Sequence, residues 1–129
     1  QSLSTHCAFQ SPVNLLSITP HMYELGTSFS AHLFDGTAAT EELYSAEGWF
    51  DQYTAILPDD GLQLAVGEGL HFTCEWQSDR SLTTTFGPSA SDEMCFAFGH
   101  YYPAVEDIFY TDLDRCSKAD DLRWYRNDR

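Results

Sequence analysis

Gly67-Glu68-Gly69-Leu70-His71-Phe72-Thr73-Cys74-Glu75-Trp76-Gln77 is a glycine turn followed by a run rich in apolar, aromatic and Thr residues. A run of this kind directly after turn residues is typical of a β-strand, which we predict over 70–77. The same arrangement recurs along the chain, because short aromatic, Thr and aliphatic stretches lie between Gly, Pro and Asp turns. No long segment has a clean 3.6-residue period. The pattern predicts an all-β protein.

Eight candidate strands follow from this reading, at residues 13–18, 27–34, 41–45, 52–57, 62–65, 70–77, 83–86 and 93–102. That many short strands at short intervals predict one jelly-roll-like β-sandwich domain over residues 1–129, with about eight or nine antiparallel strands. The last segment mixes charged residues with scattered apolar ones. Residues 117–129 are therefore predicted to form a C-terminal tail.

Composition limits the classes of partner. The chain has 129 residues, of which 43% are hydrophobic, so it can bury one ordinary core. Twenty acidic and six basic residues give a formal net charge of -14, and Lys118 is the single lysine. An acidic chain offers no basic patch to nucleic acid or to an anionic membrane. No apolar run approaches the roughly 18 to 20 residues that cross a bilayer, so membrane insertion is not expected.

The four cysteines predict two disulfides. Cys7, Cys74, Cys95 and Cys116 contain no C-x-x-C spacing typical of zinc or redox sites, and they allow three pairings. One of these pairings would join Cys7 to Cys116, tying the two ends of the domain, and Cys74 to Cys95, closing an inner loop. Because disulfides persist in oxidising compartments, we expect a secreted, periplasmic or extracellular domain.

Two further segments carry the most specific signal. The stretch His21-Met22-Tyr23-Glu24-Leu25-Gly26 resembles the H-x-H-x-L-G motif of the copper type II, ascorbate-dependent monooxygenases, the family of peptidylglycine α-hydroxylating monooxygenase and dopamine β-monooxygenase. Asp92-Glu93-Met94-Cys95, with Tyr101-Tyr102-Pro103 after it, looks like the family's D-E-M-C segment and its trailing aromatic pair. Residues 67–74 look like the family's G-D-x-L…C strand, and Gly87 lies where a glycine usually precedes D-E-M-C. The resemblance covers residues 7–116.

The resemblance implies the family's C-terminal copper domain, a jelly roll that binds one copper through two histidines and one methionine. It also implies the pairs Cys7 with Cys116 and Cys74 with Cys95. Carried over by position, His21 is the first histidine and Met94 is the methionine, but Tyr23 replaces the second histidine. In an H-x-H strand two imidazoles point to one side, and a thioether favours Cu(I). Tyr23 therefore leaves one imidazole and one thioether, although a phenolate can bind Cu(II) or Fe(III).

Two other departures bear on activity. Thr19 stands where the peptide-amidating enzyme has an arginine, and Phe96 and Phe98 replace residues that help to hold a peptide carboxylate. Peptide amidation is therefore not expected. The family's other copper domain, which supplies the second electron, does not fit into 129 residues, so electrons would come from a partner domain or chain.

Other residues have less specific interpretations. His32 either restores a second imidazole, if its strand runs beside that of His21, or lies on an exposed strand. His6, His71 and His100 are interpreted as structural or exposed. Asp92 and Glu93 are expected to cap a turn or to accept backbone hydrogen bonds. The aromatic series Phe96, Phe98, Tyr101 and Tyr102 is expected to lie mostly in the core.

Two main hypotheses follow. In the first, the protein is a secreted copper-binding domain whose ligands include His21 and Met94, with Tyr23 or His32 as further candidates. In the second, it is a metal-free sandwich that recognises a protein or another ligand, since Thr19, Tyr23, Phe96 and Phe98 all depart from the functional pattern. A third hypothesis is a monooxygenase with an altered site that draws electrons from a partner.

Overall fold

Two antiparallel β-sheets build the domain. The structure, a computed structural model, describes residues 2–48, 53–58, 60–77 and 93–103. Within these residues there are eight strands and no helix. The strands are β1 Ser2–Ala8, β2 Val13–His21, β3 Gly26–Phe34, β4 Ala39–Glu47, β5 Ala55–Ile56, β6 Leu62–Leu64, β7 Gly69–Trp76 and β8 Phe96–Tyr102. None of the described segments is a helix long and apolar enough to cross a membrane.

The strands divide into a sheet A with the order β1-β7-β3-β4 and a sheet B built around β2. In sheet B, β8 pairs with residues 14–21 of β2. The shorter strands β5 and β6 pair with residues 17–18 and 13–15 of β2, and β8 pairs with most of the same residues, so β5 and β6 occupy the opposite edge of β2. β2 is therefore the central strand of sheet B, and β8 is its neighbour along almost its whole length.

One hydrophobic core joins the two sheets. Alternate residues of a strand point to opposite faces, and the buried residues of β7 follow that period: Leu70, Phe72, Cys74 and Trp76. They pack in one cluster with Leu15 and Ile18 of β2 and with Phe29 of β3. Full burial of such a side chain stabilises the fold by about 1.5 to 3 kcal/mol. The sheets therefore pack face to face, and each keeps one outer face.

The all-β prediction is confirmed, and seven of the eight strands coincide with predicted ones. β1 was not predicted, because its residues are mostly polar and exposed, so no apolar period marks it. The predicted strand at 83–86, the tail at 117–129, Gly87 and Asp92 lie outside the described residues. The jelly-roll connectivity stays a prediction.

The disulfide between Cys74 and Cys95 is present and links β7 to the segment before β8. The two cysteines are separated by 21 residues. In the chain-entropy account, closing a loop of this size stabilises the fold by about 3 kcal/mol. Cys116, the predicted partner of Cys7, lies outside the described residues, so that pairing stays a prediction.

The aromatic residues of β8 correct a prediction. Phe98 is 56% exposed and Tyr102 is 45% exposed, whereas Tyr101 packs against the core cluster. Phe96 is half-buried. The series is therefore not mostly core, because Phe96 and Phe98 lie on the outer face of sheet B. The prediction was wrong because sequence alone does not say which side of an aromatic strand is covered.

Candidate metal centre

The pairing of β2 with β8 brings together the two motif segments that lie far apart in sequence. His21, at the end of β2, lies directly opposite Phe96, and Thr19 lies opposite Phe98. Tyr23 follows His21 by two residues and Met94 precedes Phe96 by two residues, so both lie just beyond this last pair. The His21 and Met94 segments are therefore neighbours at one end of sheet B.

Burial shows which side of β2 carries the candidate ligands. Ile18 and Met22 belong to the core cluster, whereas Thr19, His21 and Tyr23 are half-buried. This alternation places the His21 and Tyr23 side chains on the outer face of sheet B. It also directs Met22, the other methionine of the chain, into the core and away from the candidate site.

The segment of Met94 shows the same alternation. Glu93 and Cys95 are buried, and Met94 and Phe96 are half-buried. Since Cys95 faces the core and bonds to Cys74, Met94 projects to the opposite side. His21, Tyr23 and Met94 thus share the outer face of sheet B.

Glu93 anchors the chain directly before Met94. Its carboxylate is 4% exposed and accepts two hydrogen bonds, from the backbone N–H of Leu25 at 3.0 Å and from the indole Nε1–H of Trp76. Leu25 belongs to the His21 motif, so Glu93 ties the two motif segments together. The expectation that Glu93 accepts a backbone hydrogen bond is confirmed. With the Cys95 disulfide on the other side, Met94 is held between two fixed points.

Aromatic rings surround His21. Its imidazole lies 5.7 Å from the ring of Tyr23, in an edge-on arrangement, and 6.0 Å from the ring of Phe98. Phe96 and Phe98 lie 5.9 Å apart. We call His21, Tyr23, Phe96 and Phe98 the aromatic face. It is a largely apolar environment with one imidazole in it.

Thr19, which stands where the peptide-amidating enzyme has an arginine, is engaged within sheet B. The Thr19 hydroxyl is hydrogen-bonded to the Thr54 hydroxyl at 2.8 Å. All six Lys and Arg residues of the chain lie outside the described residues. The described surface therefore has no permanently cationic side chain to pair with a peptide carboxylate.

The remaining histidines do not complete the site. His32 lies on β3 in sheet A, not beside β2, so the strand placement that would let it restore a second imidazole is not found. His6 and His71 also lie in sheet A. His100 lies on β8, in the same sheet as His21. Its Nδ1 lies 2.9 Å from the Ser17 hydroxyl, and its backbone N–H donates to the same oxygen. Ser17 therefore holds His100 in place.

Comparison with known families gives one result. The family described as copper type II ascorbate-dependent monooxygenase, C-terminal domain, matches residues 2–127. The chain belongs to this family. The match confirms the resemblance drawn from the H-x-H-x-L-G and D-E-M-C segments. No curated protein matches the chain significantly.

The family depends on copper, and the side chains near His21 decide whether that ion fits this domain. Among the described residues, the outer face around His21 offers one imidazole, one thioether and one phenol. Imidazole and thioether are suitable ligands for Cu(I), whereas a neutral phenol is a weak one. Among the described residues, no three His, Cys, Asp or Glu side chains are grouped to hold a metal ion. By donor chemistry, the imidazole and the thioether suit Cu(I), and the phenol does not.

Proposed function

We propose that this domain binds one Cu(I) ion through the imidazole of His21 and the thioether of Met94. The observation that carries the proposal is the register of β2 and β8. His21 lies opposite Phe96, and Met94 precedes Phe96 by two residues. Copper, when bound, would supply one-electron redox chemistry.

The protein's own residues would hold the ligands in place. Glu93 and the Cys74–Cys95 disulfide fix the backbone on both sides of Met94. The rings of Tyr23 and Phe98 lie beside the imidazole of His21 and restrict its orientation. An apolar surrounding favours Cu(I), which has the lower charge, over Cu(II).

We propose that the domain does not amidate peptides. Thr19 is engaged with Thr54, and Phe98, opposite it, is 56% exposed. The described surface next to His21 is thus largely apolar, which does not favour a peptide carboxylate. Tyr23 also stands in place of the family's second histidine ligand, which does not favour oxygen chemistry at this site.

The setting of the protein is part of the proposal. The Cys74–Cys95 disulfide supports a secreted, periplasmic or extracellular location, since such bonds persist in oxidising compartments. Any redox turnover would need electrons from a partner domain or chain. The acidic chain would bind neither nucleic acid nor membrane.

Two methionine variants test the copper proposal. Met94→Leu removes the outward thioether and keeps the volume, and Met22→Leu does the same for the core-facing methionine. In a competition titration of Cu(I) against a colorimetric chelator, we expect Met94→Leu to weaken binding by about tenfold or more, and Met22→Leu to change it by less than about twofold. Equal affinities in the two variants would contradict the proposal.

A second function is favoured by the exposure of the aromatic face. Phe98 and its neighbours present apolar rings to solvent, which is typical of surfaces that bind a partner. In this alternative the domain is a metal-free recognition module. It is supported if the native chain retains no Cu(I) in the same titration, and it is excluded if the native chain binds one copper that Met94→Leu releases.

A further inference from the structure

The outer face of sheet A carries a row of histidines on adjacent strands. His6 of β1 lies directly opposite His71 of β7, and His71 lies directly opposite His32 of β3. On the next strand, Glu42 of β4 lies opposite His32. We call these four residues the histidine row. The three histidines stand far apart in the sequence, and the strand order brings them together.

The histidine row faces away from the core. The neighbours of His71 along β7, Leu70 and Phe72, are buried in the core cluster, so His71 points outward. The same holds for His32, which follows the fully buried Ala31. Directly opposite residues on antiparallel strands share a face, so the whole row lies on one surface. This surface is on the other side of the sandwich from His21 and Met94.

Distances within the row separate one member from the others. His6 stacks on the Phe34 ring at 4.5 Å and lies 6.5 Å from His71, ring centre to ring centre. His32 Nε2 lies 3.9 Å from Glu42 Oε2, and the Glu42 side chain is 59% exposed. His6 is therefore held by its close contact with Phe34, whereas the imidazole of His32 already lies near the carboxylate of Glu42.

We propose that His71, His32 and Glu42 form a second metal site, for a divalent late transition metal ion of the Zn²⁺ class. Two imidazoles and one carboxylate are a ligand set that Zn²⁺ takes in proteins, with water at the fourth position. Opposite residues of paired strands have Cβ atoms about 4.5 to 5.5 Å apart, a separation that two imidazoles can bridge through one ion. Glu42 supplies an anionic oxygen next to the second imidazole.

Binding requires side-chain rotation. In the described residues no three such side chains already converge on one point, so the ion must draw Glu42 and the imidazoles together. The backbone of the three strands is already fixed by the sheet, and only side-chain freedom is lost. Moderate affinity is expected for this reason.

Zn²⁺ titration by calorimetry tests the site in the full chain. We expect one Zn²⁺ per chain at this site, and we expect His71→Asn, His32→Asn and Glu42→Gln each to weaken binding by about tenfold or more. His6→Asn and His100→Asn are the matched controls, and each should change the affinity by less than about twofold. Thermal unfolding without metal checks that every variant folds.

The same titration separates this site from the proposed copper site. Zn²⁺ has little preference for a thioether, so Met94→Leu should leave Zn²⁺ binding unchanged. Nitrogen-15 spectra of the imidazoles should show shifts for His71 and His32 on addition of Zn²⁺, with His21 unaffected. The proposal is overturned if folded His71→Asn binds Zn²⁺ as tightly as the native chain. It is also overturned if His6→Asn abolishes binding while His32→Asn does not.

Discussion

Replacing Glu93 by alanine is expected to lower the free energy of unfolding by about 3 kcal/mol, because one buried and one part-buried donor lose their acceptor. Those donors are the backbone N–H of Leu25 and the indole N–H of Trp76. Glu93 is 4% exposed, so water replaces the lost carboxylate poorly, above all at the buried Trp76 indole. Chemical denaturation measures the loss, and the melting temperature should fall by about 10 °C.

A matched carboxylate separates this effect from a change of charge. Glu75 is exposed and accepts a hydrogen bond from the Ser28 hydroxyl at 2.6 Å. Glu75→Ala should cost less than about 0.5 kcal/mol, as is usual for an exposed surface position. If Glu93→Ala were as mild as Glu75→Ala, the buried carboxylate would not be the link between the two motif segments.

Replacing Tyr23 by histidine is expected to raise the Cu(I) affinity by about a hundredfold, since a second imidazole joins His21 and Met94 on the same face. Tyr23 is half-buried and its ring lies 5.7 Å from that of His21, so the position is close enough to share an ion. The chelator competition used for the methionine variants measures the gain.

Tyr23→Phe is the control for this variant. It removes the hydroxyl and keeps the ring, so the Cu(I) affinity should stay within about twofold of the native value. A tenfold loss of Cu(I) affinity in Tyr23→Phe would indicate that the phenol oxygen is a ligand. No gain in Tyr23→His would mean that the β2 and β8 register does not present this position to the ion.

Local sequence patterns predicted much of the fold. The turn at Gly67 and the run after it identified β7, since its apolar residues recur with the period of a strand. The Cys74–Cys95 bond followed from the family resemblance, and the structure contains it. β1 was not found, because an edge strand with exposed polar side chains leaves no hydrophobic pattern.

The candidate site was only partly predictable. The motifs named His21 and Met94, but only the β2 and β8 register shows how their segments meet. The bond from Trp76 to Glu93 connects residues on separate strands, and no local pattern signals it. The histidine row was also not predicted from the sequence, since it depends on strands that are distant in sequence and adjacent in sheet A. Strand order is therefore the information that local patterns lack.

X-ray absorption spectroscopy of the Cu(I)-loaded protein tests the proposed ligand set most directly. A site of His21 and Met94 predicts one sulfur and one imidazole in the copper shell, with the sulfur absent from Met94→Leu. A shell of two or more imidazoles without sulfur would contradict it, and so would a sulfur contribution that Met94→Leu leaves in place.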